Sequence, residues 1–204
     1  MTVRVKICGV TTAADAKMAV AAGADMVGLN FYPSSRRFVS AERALVVAAA
    51  APAPVWKVGV FVNSSRAEVE SIRRQVGLDA LQFHGDEPAE FLAGWPCPVI
   101  RTSRIASASD VGVALASSAP DYYLLEGDAG ADYGGAGAGF EWTWAREIPA
   151  SRLIVAGGLK PQNVAAAVRS LRPFGVDVAS GVELEPGIKD AAATAEFIEN
   201  AKSA

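Results

Sequence analysis

The strongest constraint on this chain is a repeat. Short β-rich runs alternate with longer Ala-rich stretches, and the strands start roughly every 24 residues, the period of a β–α supersecondary unit. Candidate strands cover 3–8, 26–31, 55–62, 80–84, 99–102, 122–126, 153–156 and 176–179. Helical patterns fill the gaps at 13–22, 41–51, 64–76, 87–92, 108–117, 142–147, 161–171 and 191–202. Right-handed crossovers wind such units one way, and eight of them close into a barrel. The expectation is an α/β chain forming one single-domain (β/α)8 TIM barrel over 1–204, with no sequence to spare for a second domain. An open doubly wound sheet is the main alternative. The first βα turn, however, reads CGVTT rather than GxGxxG.

Composition narrows the function classes. Nineteen Lys and Arg against 22 Asp and Glu give a formal charge of -3. No excess of positive charge is available for nucleic acid or an anionic membrane, so an anionic ligand needs a local site. No apolar run approaches the ~18 residues of a membrane span. The start, MTVRVKICGV, reads as a strand rather than a signal peptide. One histidine and two separated cysteines, Cys8 and Cys97, give no zinc motif. They fit a reduced, cytoplasmic protein.

In a (β/α)8 barrel, ligands bind where the C-terminal strand ends meet the βα loops. Strand side chains alternate, so in VKICG the pair Lys6 and Cys8 faces inward, with Cys8 near the mouth. A cation two residues away favours the thiolate. That thiol is either a general base or nucleophile, or a buried structural cysteine. Cys97 sits at a strand entry and reads as structural. Strand two runs into FYPSSRRFVS, where Arg36 and Arg37 suit a carboxylate or phosphate, or form a solvated basic turn. Gln82 and His84 share the inward face of strand four, and Arg101 ends strand five. Glu126 ends strand six, where a carboxylic acid could donate a proton, with Asp128 two residues on. AGG at 156–158 and SGV at 180–182 bring Gly157, Gly158, Ser180 and Gly181 to the last two strand ends, where barrels often bind phosphate through main-chain amides. Asp177, on strand eight, either pairs with Lys6 or accepts from a substrate amine.

Together these segments resemble the phosphoribosylanthranilate isomerase family. The matching stretches are VKICGVTTAADA, GADMVGLNFYPSSRRFVS, VGVFVN, LQFHGDE, YGGAGAGFEW, VAGGLKPQNV and FGVDVASGVELEPGIKD, in order along essentially the whole chain. The resemblance implies a (β/α)8 barrel without metal or cofactor. It also implies an Amadori rearrangement of N-(5-phosphoribosyl)anthranilate in tryptophan biosynthesis. Its general base is the cysteine of KICG, here Cys8. Its general acid is an aspartate in an LLD pattern. This chain reads LLE, so the acid falls to Glu126, with Asp128 as second choice. Arg37 matches the arginine that holds the anthranilate carboxylate, and Gln82, His84 and Asp177 fall among the substrate contacts. Gly157, Gly158, Ser180 and Gly181 match the phosphate loops. The loop after strand six departs from the commoner GGSGK, with Ala138 where a lysine is often found. The implied partner is a phosphosugar, bound by a monomer or homodimer. A metal-dependent epimerase would need more histidines, and an indole-forming synthase more lysine–glutamate pairs. A barrel that binds a phosphorylated ligand without catalysis is the competing reading of another class.

Overall fold

A computed structural model describes residues 2–117, 119–128, 130 and 139–204. Eight parallel strands close a barrel in chain order: β1 (Arg4–Ile7), β2 (Met26–Asn30), β3 (Trp56–Phe61), β4 (Ala80–Phe83), β5 (Val99–Ile105), β6 (Tyr122–Gly127), β7 (Leu153–Val155) and β8 (Gly175–Val178). β8 returns to β1, setting Lys6 beside Asp177. The strand count and order match the sequence reading. β5 extends past Thr102 to Ile105, because Arg104 and Ile105 continue the ladder against Glu126 and Gly127.

Period-two alternation sorts the strand residues into two cores. Val5, Ile7, Leu29, Phe83, Leu125 and Val176 face outward to the helices. Met26, Val58, Ala80, Ile100, Leu124, Ile154 and Ala156 fill the barrel interior. Burying each large side chain of these layers contributes about 1.5–3 kcal/mol. At the N-terminal end the interior closes on Trp56, Tyr122 and Phe174, with the Arg4 guanidinium 5.8 Å from both the Trp56 and the Phe174 ring centres.

The outer layer contains α1 (Ala13–Ala21), α2 (Ala41–Ala49), α3 (Arg66–Val76), α4 (Ala89–Leu92), α5 (Ala108–Ser117), α6 (Pro161–Leu171) and α7 (Ala191–Lys202). Thr12, Ser40, Ser65 and Asp190 cap four of them by accepting the N–H three residues on. Two expected helices are corrected. The segment Trp142–Glu147 is a 3-10 helix. Its six residues end one position before Ile148-Pro149, and the proline keeps the segment from extending into a longer helix. The fourth helix begins at Ala89, not 87, because the Glu87 carboxylate instead accepts the amides of Asn63 and Gly85 and the Arg101 guanidinium. An element absent from the sequence reading follows β8. A 3-10 turn (Ser180–Val182) leads into an antiparallel hairpin of β9 (Glu183–Glu185) and β10 (Ile188–Lys189). No helix among the described residues is long and apolar enough to cross a membrane.

Candidate active site

One pocket at the C-terminal rim gathers residues from seven of the eight strands or the loops that follow them, β5 being the exception. Cys8, Arg37, Gln82, His84, Glu126, Gly157, Gly158, Asp177, Ser180 and Gly181 all line it, together with Asn30 and Ser35. Cys8, Glu126, Arg37 and all four small residues of the last two loops are therefore brought together. Asp128 is not. It is exposed, its Oδ1 accepts the Gly130 amide at 2.9 Å, and it lies off the pocket lining. Arg36 is likewise exposed, and Arg101 is held by Glu87 at 2.8 Å. Ala138 and most of the loop quoted as YGGAGAG lie outside the described residues.

Strand alternation places Lys6 in the barrel interior, fully buried, with Nζ donating to Asp177 Oδ1 at 2.9 Å. Burial opposes its charge, but Asp177 and Cys8 more than offset that and raise its pKa above the usual lysine value. Cys8 follows β1 directly and carries a free thiol. A Cβ on Gly28 would stand 2.8 Å from Cys8 Sγ and 2.9 Å from Lys6 Nζ, so only glycine on β2 leaves the two room. Lys6 favours the Cys8 thiolate, as its place on the same strand face leads one to expect, but it acts against a larger opposing effect. Burial pushes the thiol above its ordinary value, and Lys6 compensates only in part. That ammonium is already shared with the Asp177 carboxylate, whose own charge also opposes the thiolate.

Across the mouth, Glu126 continues the inward face of Leu124, and its Oε1 lies 2.7 Å from His84 Nε2. Gln82 Nε2 donates to Thr102 Oγ1 at 3.1 Å, while its buried Oε1 has no hydrogen-bond partner among the described residues. A buried acceptor left open in a pocket is suited to a ligand hydroxyl. At the far side the β7 and β8 loops come into contact. A Cβ on Gly181 would meet the Leu159 carbonyl oxygen at 2.0 Å, so the close approach of these loops demands glycine there. Small residues leave the main chain of both loops open to the pocket.

Residues 5–200 match the family model of N-(5'-phosphoribosyl)anthranilate (PRA) isomerase. The chain belongs to this family. An N-(5'-phosphoribosyl)anthranilate isomerase of Myxococcus xanthus is 45% identical over 212 aligned positions, covering 100% of this chain and 98% of the relative. The phosphoribosyl anthranilate isomerase of Thermotoga maritima superposes with a TM-score of 0.89 at 39% identity, covering 99% of this chain and 100% of that one. A further phosphoribosyl anthranilate isomerase was solved in complex with reduced 1-(o-carboxyphenylamino)-1-deoxyribulose 5-phosphate. It gives a TM-score of 0.85 at 37% identity over 99% of this chain and 100% of that one.

Two residues beside the family site escaped the sequence reading. Glu183, on β9, accepts Arg37 Nε at 2.9 Å and Arg37 Nη2 at 2.6 Å. Lys189, on β10, donates to Glu183 Oε1 at 2.7 Å. Burial works against the Glu183 charge, yet Arg37 and Lys189 hold its carboxyl below the usual range. Glu183 in turn raises the Arg37 pKa. The only signal of this hairpin in the sequence is the Pro186-Gly187 turn between a glutamate and a lysine. Among the described residues no group of three or more His, Cys, Asp or Glu side chains is arranged to hold a metal ion.

Proposed function

We propose that the protein converts N-(5-phosphoribosyl)anthranilate into 1-(2-carboxyphenylamino)-1-deoxyribulose 5-phosphate, an aldose-to-ketose step of tryptophan biosynthesis. The observation that carries this reading is the meeting of Cys8 and Glu126 from β1 and β6 in one pocket. Arg37 stands at one end of it and the glycine loops of β7 and β8 at the other.

Glu126, as the carboxylic acid, gives its proton to the ribose ring oxygen. The bond from that oxygen to C1 breaks, and the nitrogen lone pair forms an iminium at C1. The cation acidifies the C2 proton, which the Cys8 thiolate removes. The released electron pair forms the C1–C2 double bond and neutralises the iminium. The resulting enolamine tautomerises to the C2 ketone. Groups of opposite proton role must face one another for this sequence, and strands on opposite sides of the mouth supply them. His84 fixes the orientation of the Glu126 carboxyl. The Gln82 oxygen is free to accept a sugar hydroxyl. The main chain at Gly157, Gly158, Ser180 and Gly181 takes the phosphate, and the Arg37 fork takes the anthranilate carboxylate. Held at both ends, the substrate reaches the reactive geometry with less entropy left to lose. Asp177, beside Lys6, stands where it can meet the substrate amine.

The direct test is the loss of anthranilate-adduct fluorescence with purified protein and no added metal. Turnover by wild type, lost in Cys8→Ala with substrate binding retained, is the expected result. Wild-type protein that binds the adduct without consuming it would instead favour the non-catalytic barrel.

A further inference from the structure

Glu183 and Lys189 touch none of the groups that react, yet their arrangement is too specific for a surface hairpin. Their side chains are 4% and 0% exposed. The three N–H donors of Lys189 meet three acceptors: the Cys8 carbonyl at 2.5 Å, the Ala179 carbonyl at 3.3 Å and Glu183 Oε1 at 2.7 Å. The first acceptor belongs to the residue that bears the thiol. The second immediately precedes Ser180 and Gly181. The third belongs to the carboxylate that clamps Arg37, and Gly187 N also donates to it at 3.2 Å. Burial pushes the Lys189 pKa down even with Glu183 beside it, so the ammonium is held there at an energetic cost. A buried ion pair seldom repays its desolvation in stability, so its use lies in the geometry it enforces.

Arg37 shows what that geometry is. Glu183 takes Nε and one N–H of Nη2, which pins the plane of the guanidinium. Three of the five N–H groups, including both on Nη1, meet no acceptor among the described residues and are left for a ligand. Gly9 lies under the Arg37 stem, where a Cβ would stand 2.3 Å from Cδ, so the side chain runs directly over the loop that carries Cys8.

We propose that Glu183 and Lys189 are positioning residues for the isomerisation. Glu183 aims Arg37 at the substrate's aryl carboxylate, and Lys189 sets the spacing between the Cys8 loop, the Ser180 turn and that clamp. This rests on the function proposed above, so wild-type turnover of the anthranilate adduct is established first; a wild type that does nothing refutes the function itself. The decisive variant is Glu183→Gln, which keeps the shape and one acceptor oxygen but removes the charge. It is compared with wild type on the anthranilate adduct and on the aniline adduct, which lacks the carboxylate. The expected result is KM raised about tenfold on the first substrate and less than about twofold on the second, measured below a melting temperature that falls because Lys189 and Arg37 lose their buried counter-charge. Lys189→Met, in folded protein, lowers kcat by about a hundredfold on both substrates, the penalty of roughly 1 Å of misplacement. If it does not fold, Glu183→Gln decides. Equal losses on the two substrates, or none on either, in Glu183→Gln overturn the proposal.

Discussion

The two sides of the barrel mouth are built differently. On the β1 and β8 side, Lys6, Asp177, Arg37, Glu183 and Lys189 surround Cys8 in ion pairs of 2.6 to 2.9 Å, all largely sealed from water. On the β4 and β6 side, His84 is hydrogen-bonded to Glu126 and Gln82 donates to Thr102, while the Gln82 carbonyl oxygen is unsatisfied among the described residues. The first side is fully determined before any ligand arrives, while the second waits for one. The difference suits the two proton transfers. Taking a proton from carbon with a thiolate calls for a fixed field and little water. Giving a proton to a ring oxygen calls for a carboxyl that the ligand itself can complete.

This contrast yields graded expectations. Cys8→Ala should have the largest effect, lowering kcat by about a thousandfold or more while leaving ligand binding detectable by fluorescence titration. Lys6→Met leaves the Asp177 charge buried without its partner and should cost about 3–5 kcal/mol of stability in urea unfolding. A loss below about 1 kcal/mol would show that the β1–β8 pair is not the anchor described here. Glu126→Gln should lower kcat by about a hundredfold, whereas Asp128→Asn should change it less than about twofold; the reverse ranking would move the acid into the loop.

The dependence on pH is smaller and has a definite sign. Burial favours the protonated Cys8 thiol in the folded protein, so kcat/KM should climb with pH through and beyond the usual thiol range. Stability runs the other way. The folded thiol holds its proton where the unfolded one has lost it, so this contribution is present below the ordinary thiol pKa. It is lost as pH rises toward the raised folded value. A kcat/KM plateau reached well below the ordinary thiol pKa would show that Lys6, not burial, controls Cys8.

Much of this molecule follows from patterns of short range. The β–α period predicts eight strands in barrel order, and alternation along β1 turns Lys6 and Cys8 inward. The same parity places Gln82, His84 and Glu126 on the pocket lining. Local chemistry is weaker where it competes with distant partners. Glu87 looks like a helix residue until the Asn63 and Gly85 amides draw it away. Strand parity offers Asp177 either Lys6 or a substrate amine as partner, and only the closed barrel, which brings together residues 171 positions apart, puts the Lys6 ammonium on it.

Periodicity, strand parity and the positions of Cys8, Glu126, Arg37 and the small residues of the last two loops are written along the chain, because each depends on residues within a few positions of one another. The partners of buried charges are not. Whether Lys6 serves Cys8 or Asp177, whether Arg37 stands alone, and what Glu183 and Lys189 do depend on contacts between residues more than a hundred positions apart. Desolvation acts on the folded surroundings, not on the sequence neighbourhood, so closing the barrel is what settles which charges meet and which side of the mouth is held rigid.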